Sequence, residues 1–195
     1  MFNIKKIIVL SYLCLPFSLY SSYEIEWKKF IESPNTNKIF SYLLYSIEND
    51  AKLCDWGKPV NQKVIPQQYG QNLYKLISEG NENAFNIGFI IKKCLDGGEL
   101  EDYIRSMGLF FEKKPLIFLE ALHKQKISID DATRMISVTP YYATDDTKQQ
   151  TSILEKRLLI LKSLFSFKYE SERVVIEKIL NKRISNLYNF LLLSS

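Results

Sequence analysis

The chain has 195 residues and a formal charge of +4 at pH 7, and charged residues make up 25% of its composition. The charges alternate in sign along the chain, as in "EWKKFIE" and "EKILNKR", which is typical of a solvated helical surface. Nucleic-acid binding would require a concentrated basic face, so the sequence predicts no nucleic-acid partner.

The first 22 residues have the pattern of a secretory signal peptide. Lys5 and Lys6 precede an almost unbroken apolar run from Ile7 to Leu15, and small residues follow. The run is shorter than the ~20 apolar residues that a membrane-spanning helix needs. We predict a signal peptide over residues 1–22, with an uncleaved anchor and a core helix as the alternatives. The mature chain would then be exported to the periplasm or the extracellular space, with no membrane span.

Removal of this peptide would leave two cysteines, Cys54 and Cys94, because Cys14 lies within it. An even pair in an oxidising compartment favours a disulfide bond. The bond would close a loop of about 40 residues and stabilise the fold by roughly 3–4 kcal/mol. The alternative is two buried thiols, since free cysteine is commonly a core residue.

Residues 23–195 are predicted to form a single all-helical domain. Glycine and proline are scarce, with seven and six residues, and apolar residues recur at helical spacing nearly throughout. The clearest stripes are Leu154, Leu158, Leu161 and Phe165, in a helix over roughly 146–166, and Ile176, Leu180, Leu187 and Leu191, in a helix over roughly 170–192. The short link between them predicts an antiparallel helical hairpin.

Shorter helices are predicted over residues 36–49, 67–78, 82–95 and 99–113, and two more begin near Pro115 and Ser128. No fixed repeat of 30–45 residues stands out. The expected fold is therefore all-α: a compact multi-helix bundle or a short HEAT-like stack of antiparallel helix pairs, ending in the long hairpin.

Four local signals predict where helices begin and end. Gly80 is expected to end one helix, and Gly97 with its neighbouring glycine to close the helix over 82–95 in a left-handed conformation. Ser128 and Asp131 have the spacing of a capping box. Thr144, ahead of two aspartates, is a further N-terminal signal.

Residues that could carry catalysis or bind a metal are few. His123 is the single histidine, and it is expected to offset the dipole at the end of a helix rather than act as a base. One histidine and two paired cysteines do not build a typical zinc site, so no metal and no cofactor is predicted. The acid pairs Asp130-Asp131 and Asp145-Asp146 lie at predicted helix starts, where carboxylates are stabilising in any case.

Two loops carry aromatic residues outside the helical stripes. The segment "SVTPYYATDD" places Tyr141 and Tyr142 together after a proline, and "CDWGKP" carries Trp56. Loop aromatics favour recognition because they offer large contact areas at low entropy cost. These three residues are the candidate partner-binding residues, and the alternative is that their rings pack against the core.

Three functions remain open. The favoured one is an exported, non-enzymatic helical protein that binds another protein, for example an envelope inhibitor or a toxin-immunity type of protein. The second is a cell-wall glycan hydrolase that uses Asp and Glu pairs. The third is a carrier with an apolar cavity between its helices. No catalytic residue is predicted, and the oligomeric state is not readable from the sequence.

Overall fold

The computed structural model describes residues 23–49, 54, 65–164 and 167–193. The helices are α1 (residues 23–32), α2 (Asn37–Glu48), α3 (Gln67–Ser78), α4 (Glu82–Ile91), α5 (Gly97–Lys113), α6 (Pro115–His123), α7 (Ile129–Ser137), α8 (Thr147–Lys162) and α9 (Glu170–Leu193). No residue in this described part of the chain lies in a β-strand. The prediction of an all-α fold is confirmed.

The chain divides into two compact units, Met1–Leu73 and Tyr74–Ser195, and the division falls within α3. The prediction of one domain over residues 23–195 stays a prediction. The signal-peptide prediction concerns residues 1–22, which lie outside the described residues.

In the N-terminal unit, the buried apolar side chains follow helical spacing. Trp27 and Phe30 on α1 are fully buried, with their rings 6.3 Å apart and nearly perpendicular. Leu43 and Ile47, four residues apart on α2, are fully buried as well. A hydrogen bond of 2.7 Å from Ser46 on α2 to Glu26 on α1 joins the two helices.

In the C-terminal unit, α4, α5 and α6 share an aromatic cluster. The rings of Phe85 and Phe110 stack at 3.8 Å, and those of Phe111 and Phe118 meet edge to face at 5.4 Å. All four side chains are almost completely buried. Such ring pairs contribute about 0.5–1.5 kcal/mol each beyond the burial of their area. The cluster thus holds the three helices together.

Helices α8 and α9 form the predicted antiparallel hairpin. Tyr188 near the end of α9 donates to Glu155 at 2.6 Å, and Lys162 at the end of α8 lies 3.8 Å from Glu177. The buried apolar residues of the pair are Leu154, Leu161, Ile176, Leu180, Ile184 and Leu187. The predicted bounds, 146–166 and 170–192, differ from the observed ones by only a few residues.

Three of the predicted helix boundaries are confirmed. Gly80 ends α3 with φ 91°, Pro115 is the first residue of α6, and the Ser128 hydroxyl accepts from the Asp131 N–H at 3.1 Å.

Two expectations were wrong in detail. Asp146, not Thr144, caps α8, because its carboxylate accepts from the Gln149 N–H at 3.0 Å.

The second correction concerns Gly97, which does have the expected left-handed conformation, with φ 44°. It begins α5 rather than closing the preceding helix. That helix, α4, continues into a 3-10 turn, Lys92–Cys94, and ends at Leu95, two residues before the glycine.

Cys54 and Cys94 are disulfide-bonded, which confirms the predicted pairing. Within the described ranges, none of the helices combines the length and the apolar character needed to cross a membrane.

Candidate functional site

The candidate site is the loop between α7 and α8, residues 138–146, in the C-terminal unit. Tyr141 and Tyr142 are 58% and 73% exposed, and Tyr141–Ala143 form a single 3-10 turn. Thr139, Pro140 and Ala143 are buried. The small residues of the loop are therefore packed into the protein, whereas the side chains of both tyrosines are largely exposed. Neither tyrosine ring lies in the core.

Arg105 of α5 lies directly beneath this loop. Its guanidinium carbon is 4.0 Å from the centroid of the Tyr141 ring, and its Nη1 donates to the carbonyl oxygen of Thr139. Only 11% of the Arg105 side chain is exposed, so its contact with the ring is largely shielded from water. Cation–π contacts of this kind contribute about 0.5–2 kcal/mol, more as the site becomes drier.

The hydroxyl group of Tyr141 donates a hydrogen bond of 2.6 Å to Asp102, which is also on α5. This bond, more than the partial burial or the charge of the carboxylate, raises the pKa of Tyr141. The phenol therefore stays neutral around pH 7. Arg105 covers one face of the Tyr141 ring and Asp102 binds its hydroxyl group, and the rest of the side chain is exposed.

A second arginine, Arg157 of α8, holds the start of the loop from inside. Its Nη1 donates to the carbonyl oxygens of Ile136 and Val138, at 2.7 and 2.9 Å, and its Nε donates to Glu112 at 2.9 Å. The side chain is fully buried. Burial lowers the pKa of Arg157, and the charge of Glu112 opposes that shift, so the guanidinium remains charged.

Gly108 provides the space that Arg157 occupies. A Cβ atom at this position of α5 would lie 2.9 Å from Nη2 of Arg157 and 2.5 Å from the carbonyl oxygen of Met135. That Nη2 atom has no hydrogen-bond partner among the described residues. Only a residue without a side chain allows α5, α7 and the arginine to approach this closely.

Together these contacts fix the conformation of the loop. Two arginines bind main-chain carbonyl oxygens at the foot of the loop, and one of them also supports the ring at its tip. Because the loop is already ordered, a partner would meet exposed rings whose entropy cost of ordering is small. The sequence analysis found the two tyrosines but missed Asp102, Arg105, Glu112 and Arg157.

The other predicted binding residue, Trp56, lies outside the described residues. The predicted roles of Tyr141, Tyr142 and Trp56 in partner binding stay predictions.

One member of each acid pair makes a structural contact. Asp131 forms an ion pair with Lys92, and Asp146 caps α8. Burial alone would raise the pKa of Asp131, but its contacts with Lys92 and Ser128 outweigh that effect and lower it. The N–H of Gln149 lowers the pKa of Asp146. A general acid in glycoside hydrolysis needs a raised pKa, whereas the pKa values of these two carboxylates are lowered.

His123 ends α6, as predicted, and its Nδ1 lies 3.0 Å from the carboxylate of Glu172 at the start of α9. Across the described part of the chain, no three His, Cys, Asp or Glu side chains come close enough to hold a metal ion together.

No protein-family model, no curated protein and no solved structure matches this chain.

Proposed function

We propose that this protein is an exported, non-enzymatic helical protein that binds another protein through the loop of residues 138–146. The observation that carries the proposal is the pair of exposed tyrosines, Tyr141 and Tyr142, on a loop fixed by Arg105 and Arg157. Tyrosine and arginine are enriched at the centres of protein interfaces, where single residues contribute about 2 kcal/mol or more.

Export is supported by the bond between Cys54 and Cys94, because disulfides persist mainly in oxidising compartments. A partner in the same compartment, such as a secreted toxin or an envelope enzyme, fits this location. Intact-mass measurement of the protein from its own envelope or medium tests export: loss of residues 1–22 is the expected result.

Binding is tested by comparing two double variants. Tyr141→Ala with Tyr142→Ala removes the proposed contact, and Tyr42→Ala with Tyr45→Ala removes an equally exposed pair from α2, 58% and 68% exposed. Crosslinking in the native host's envelope identifies proteins that contact the wild type. The affinity of the purified partner is then measured for all three proteins by calorimetry.

We expect the loop variant to bind at least about tenfold more weakly, which corresponds to the loss of one interface hot spot. The α2 variant should bind within about twofold of the wild type. The melting temperature of the loop variant should fall by a few degrees, because Tyr141 loses its contacts with Arg105 and Asp102, but the protein should remain folded at the temperature of the binding measurement. A partner that binds the loop variant as tightly as the wild type would remove this loop from the site.

A further inference from the structure

A separate cleft of about 620 Å³ opens in the C-terminal unit, outside the tyrosine loop, by which we mean residues 138–146. The end of α6, the turn that follows it and the first residues of α7 and α9 form its walls. Sites for small molecules typically enclose about 300–1,000 Å³, so the cleft has a suitable size for such a ligand. It shares no residue with the loop of residues 138–146.

The polar wall of the cleft is built around His123 and Glu172. The histidine Nδ1 lies 3.0 Å from one carboxylate oxygen, and the Ser171 hydroxyl donates to the other at 2.8 Å. A carboxylate only accepts, so Nδ1 carries the hydrogen in this contact. The edge of the His123 ring also packs against Tyr169, with the ring centroids 5.6 Å apart, which fixes its orientation.

The carboxylate of Glu172 stays ionised at neutral pH. Burial acts to raise its pKa, but hydrogen bonds from Ser171 and His123 outweigh that effect and lower it. The polar wall therefore presents the negative charge of Glu172 beside the hydroxyl oxygen of Ser171.

Gln125, which also lines the cleft, has a left-handed backbone with φ 56°. The N–H groups of Gln125 and Lys126 bind the carbonyl oxygens of Leu122 and Ala121, the arrangement that usually has glycine at this position. The same turn after α3 does have a glycine, Gly80. A glutamine is more strained than a glycine in this conformation, and such strain is often found at functional sites.

Part of the cleft wall is apolar, with contributions from Leu122, Ile127 and Val175. Half-exposed Ile129 extends this wall at the start of α7. Leu122 and Ile127 are already buried, but Ile129 and Val175 keep exposed apolar surface, so the cleft suits a molecule with an apolar body.

We propose that this cleft binds a small molecule that carries an ammonium group on a short apolar body. The ammonium group would donate to Glu172 and to the neighbouring acceptors, and the apolar body would cover Ile129 and Val175. An anionic analogue of the same shape would face the carboxylate and be rejected.

The test compares two probes on the full wild-type chain. 2-Phenylethylamine and 3-phenylpropionate share a skeleton and differ in the sign of the charged group. Titrations followed by amide chemical shifts in NMR should show saturable binding of the amine, centred on His123, Gln125 and Val175. The carboxylate should bind at least about tenfold more weakly. Equal affinities, no saturation by the amine, or shifts centred elsewhere would overturn the proposal.

Two variants test whether the carboxylate of Glu172 binds the amine. Glu172→Gln should weaken amine binding at least about tenfold, whereas Glu177→Gln, on the same helix but outside the cleft, should change it less than about twofold. Circular dichroism confirms that each variant is folded, and the comparison of the two probes on the wild type does not depend on either variant. An equal effect of both substitutions would contradict the assignment of Glu172.

Discussion

Arg157 and Glu112 form a buried ion pair that joins α8 to α5, with 2.9 Å between Nε and the carboxylate. The Arg157 side chain is 0% exposed and that of Glu112 only 9%. A buried charge that loses its partner keeps its desolvation cost, so the pair is far more costly to break than a surface pair.

Arg157→Ala should therefore lower the free energy of unfolding by about 3–5 kcal/mol. The carbonyl oxygens of Ile136 and Val138 lose their donor in the same variant. Lys156→Ala is the matched control, because the neighbouring lysine binds the same carboxylate but its side chain is 64% exposed. It should cost only about 0–1 kcal/mol. Urea denaturation measures both values, and equal costs would show that Arg157 is not an essential anchor.

Gly108→Ala should destabilise the protein, since the added Cβ would lie 2.5 Å from a main-chain oxygen that cannot move alone. Overpacking of this kind costs about 1–3 kcal/mol. Gly98→Ala in the same helix meets nothing within 4 Å and should be neutral or stabilising by up to about 1 kcal/mol. Thermal unfolding should show a lowered melting temperature for Gly108→Ala alone, and an unchanged Gly108→Ala would contradict the close approach of α5 and α7.

The ion pair of Asp131 with Lys92 should make stability depend on pH. The folded protein lowers the pKa of Asp131 below its ordinary value of 3.8, so the stabilisation is present above that value. It is lost as the pH falls through the lower, folded-state pKa. Asp131→Asn should thus be less stable than the wild type at pH 7, and the difference should shrink at about pH 3.

The control for this prediction is Asp130→Asn, which removes a carboxylate from the same first turn of α7. It should cost less at pH 7, because Asp131 and not Asp130 is the partner of Lys92. Urea denaturation at the two pH values compares the variants. A cost of Asp131→Asn that does not change with pH would contradict the role of the ion pair.

The disulfide bond should leave no titratable thiol at Cys54 or Cys94 when the protein is unfolded without reductant. Replacing both residues with alanine should lower the free energy of unfolding by about 2–4 kcal/mol, because the unfolded chain regains the freedom of a long loop. A thiol-reactive reagent with mass detection provides the count, and calorimetry provides the stability. Two reactive thiols in protein taken from its own compartment would refute the bond there.

The helices were predictable because their signals are local. The stripes of α8 and α9 recur within single helices, and Gly80, Pro115 and Ser128 act within a turn of their own positions. Leu154 and Leu161, two members of the predicted α8 stripe, are indeed fully buried.

The residues that hold the loop, namely Asp102, Arg105, Glu112 and Arg157, were not predicted. Each of them contacts residues that are distant along the chain. Asp102 and Tyr141 are 39 residues apart, and Glu112 and Arg157 are 45 apart. The only hint in the sequence was the position of Arg157 in α8, three residues after Leu154 and four before Leu161, which places it among the apolar residues of that stripe. A charged residue in that pattern is normally taken to face water, and here the charge is buried because Glu112 and two carbonyl oxygens receive it.

The anchors of the tyrosine loop bind mostly main-chain atoms, namely the carbonyl oxygens of Ile136, Val138 and Thr139. Every residue type supplies a carbonyl oxygen, so these contacts place little demand on the side chains that the loop displays. Tyr142 and Asp145, both exposed, can therefore change during evolution while the frame beneath them is kept. A substitution at either position would leave these main-chain contacts, and with them the conformation of the loop, in place.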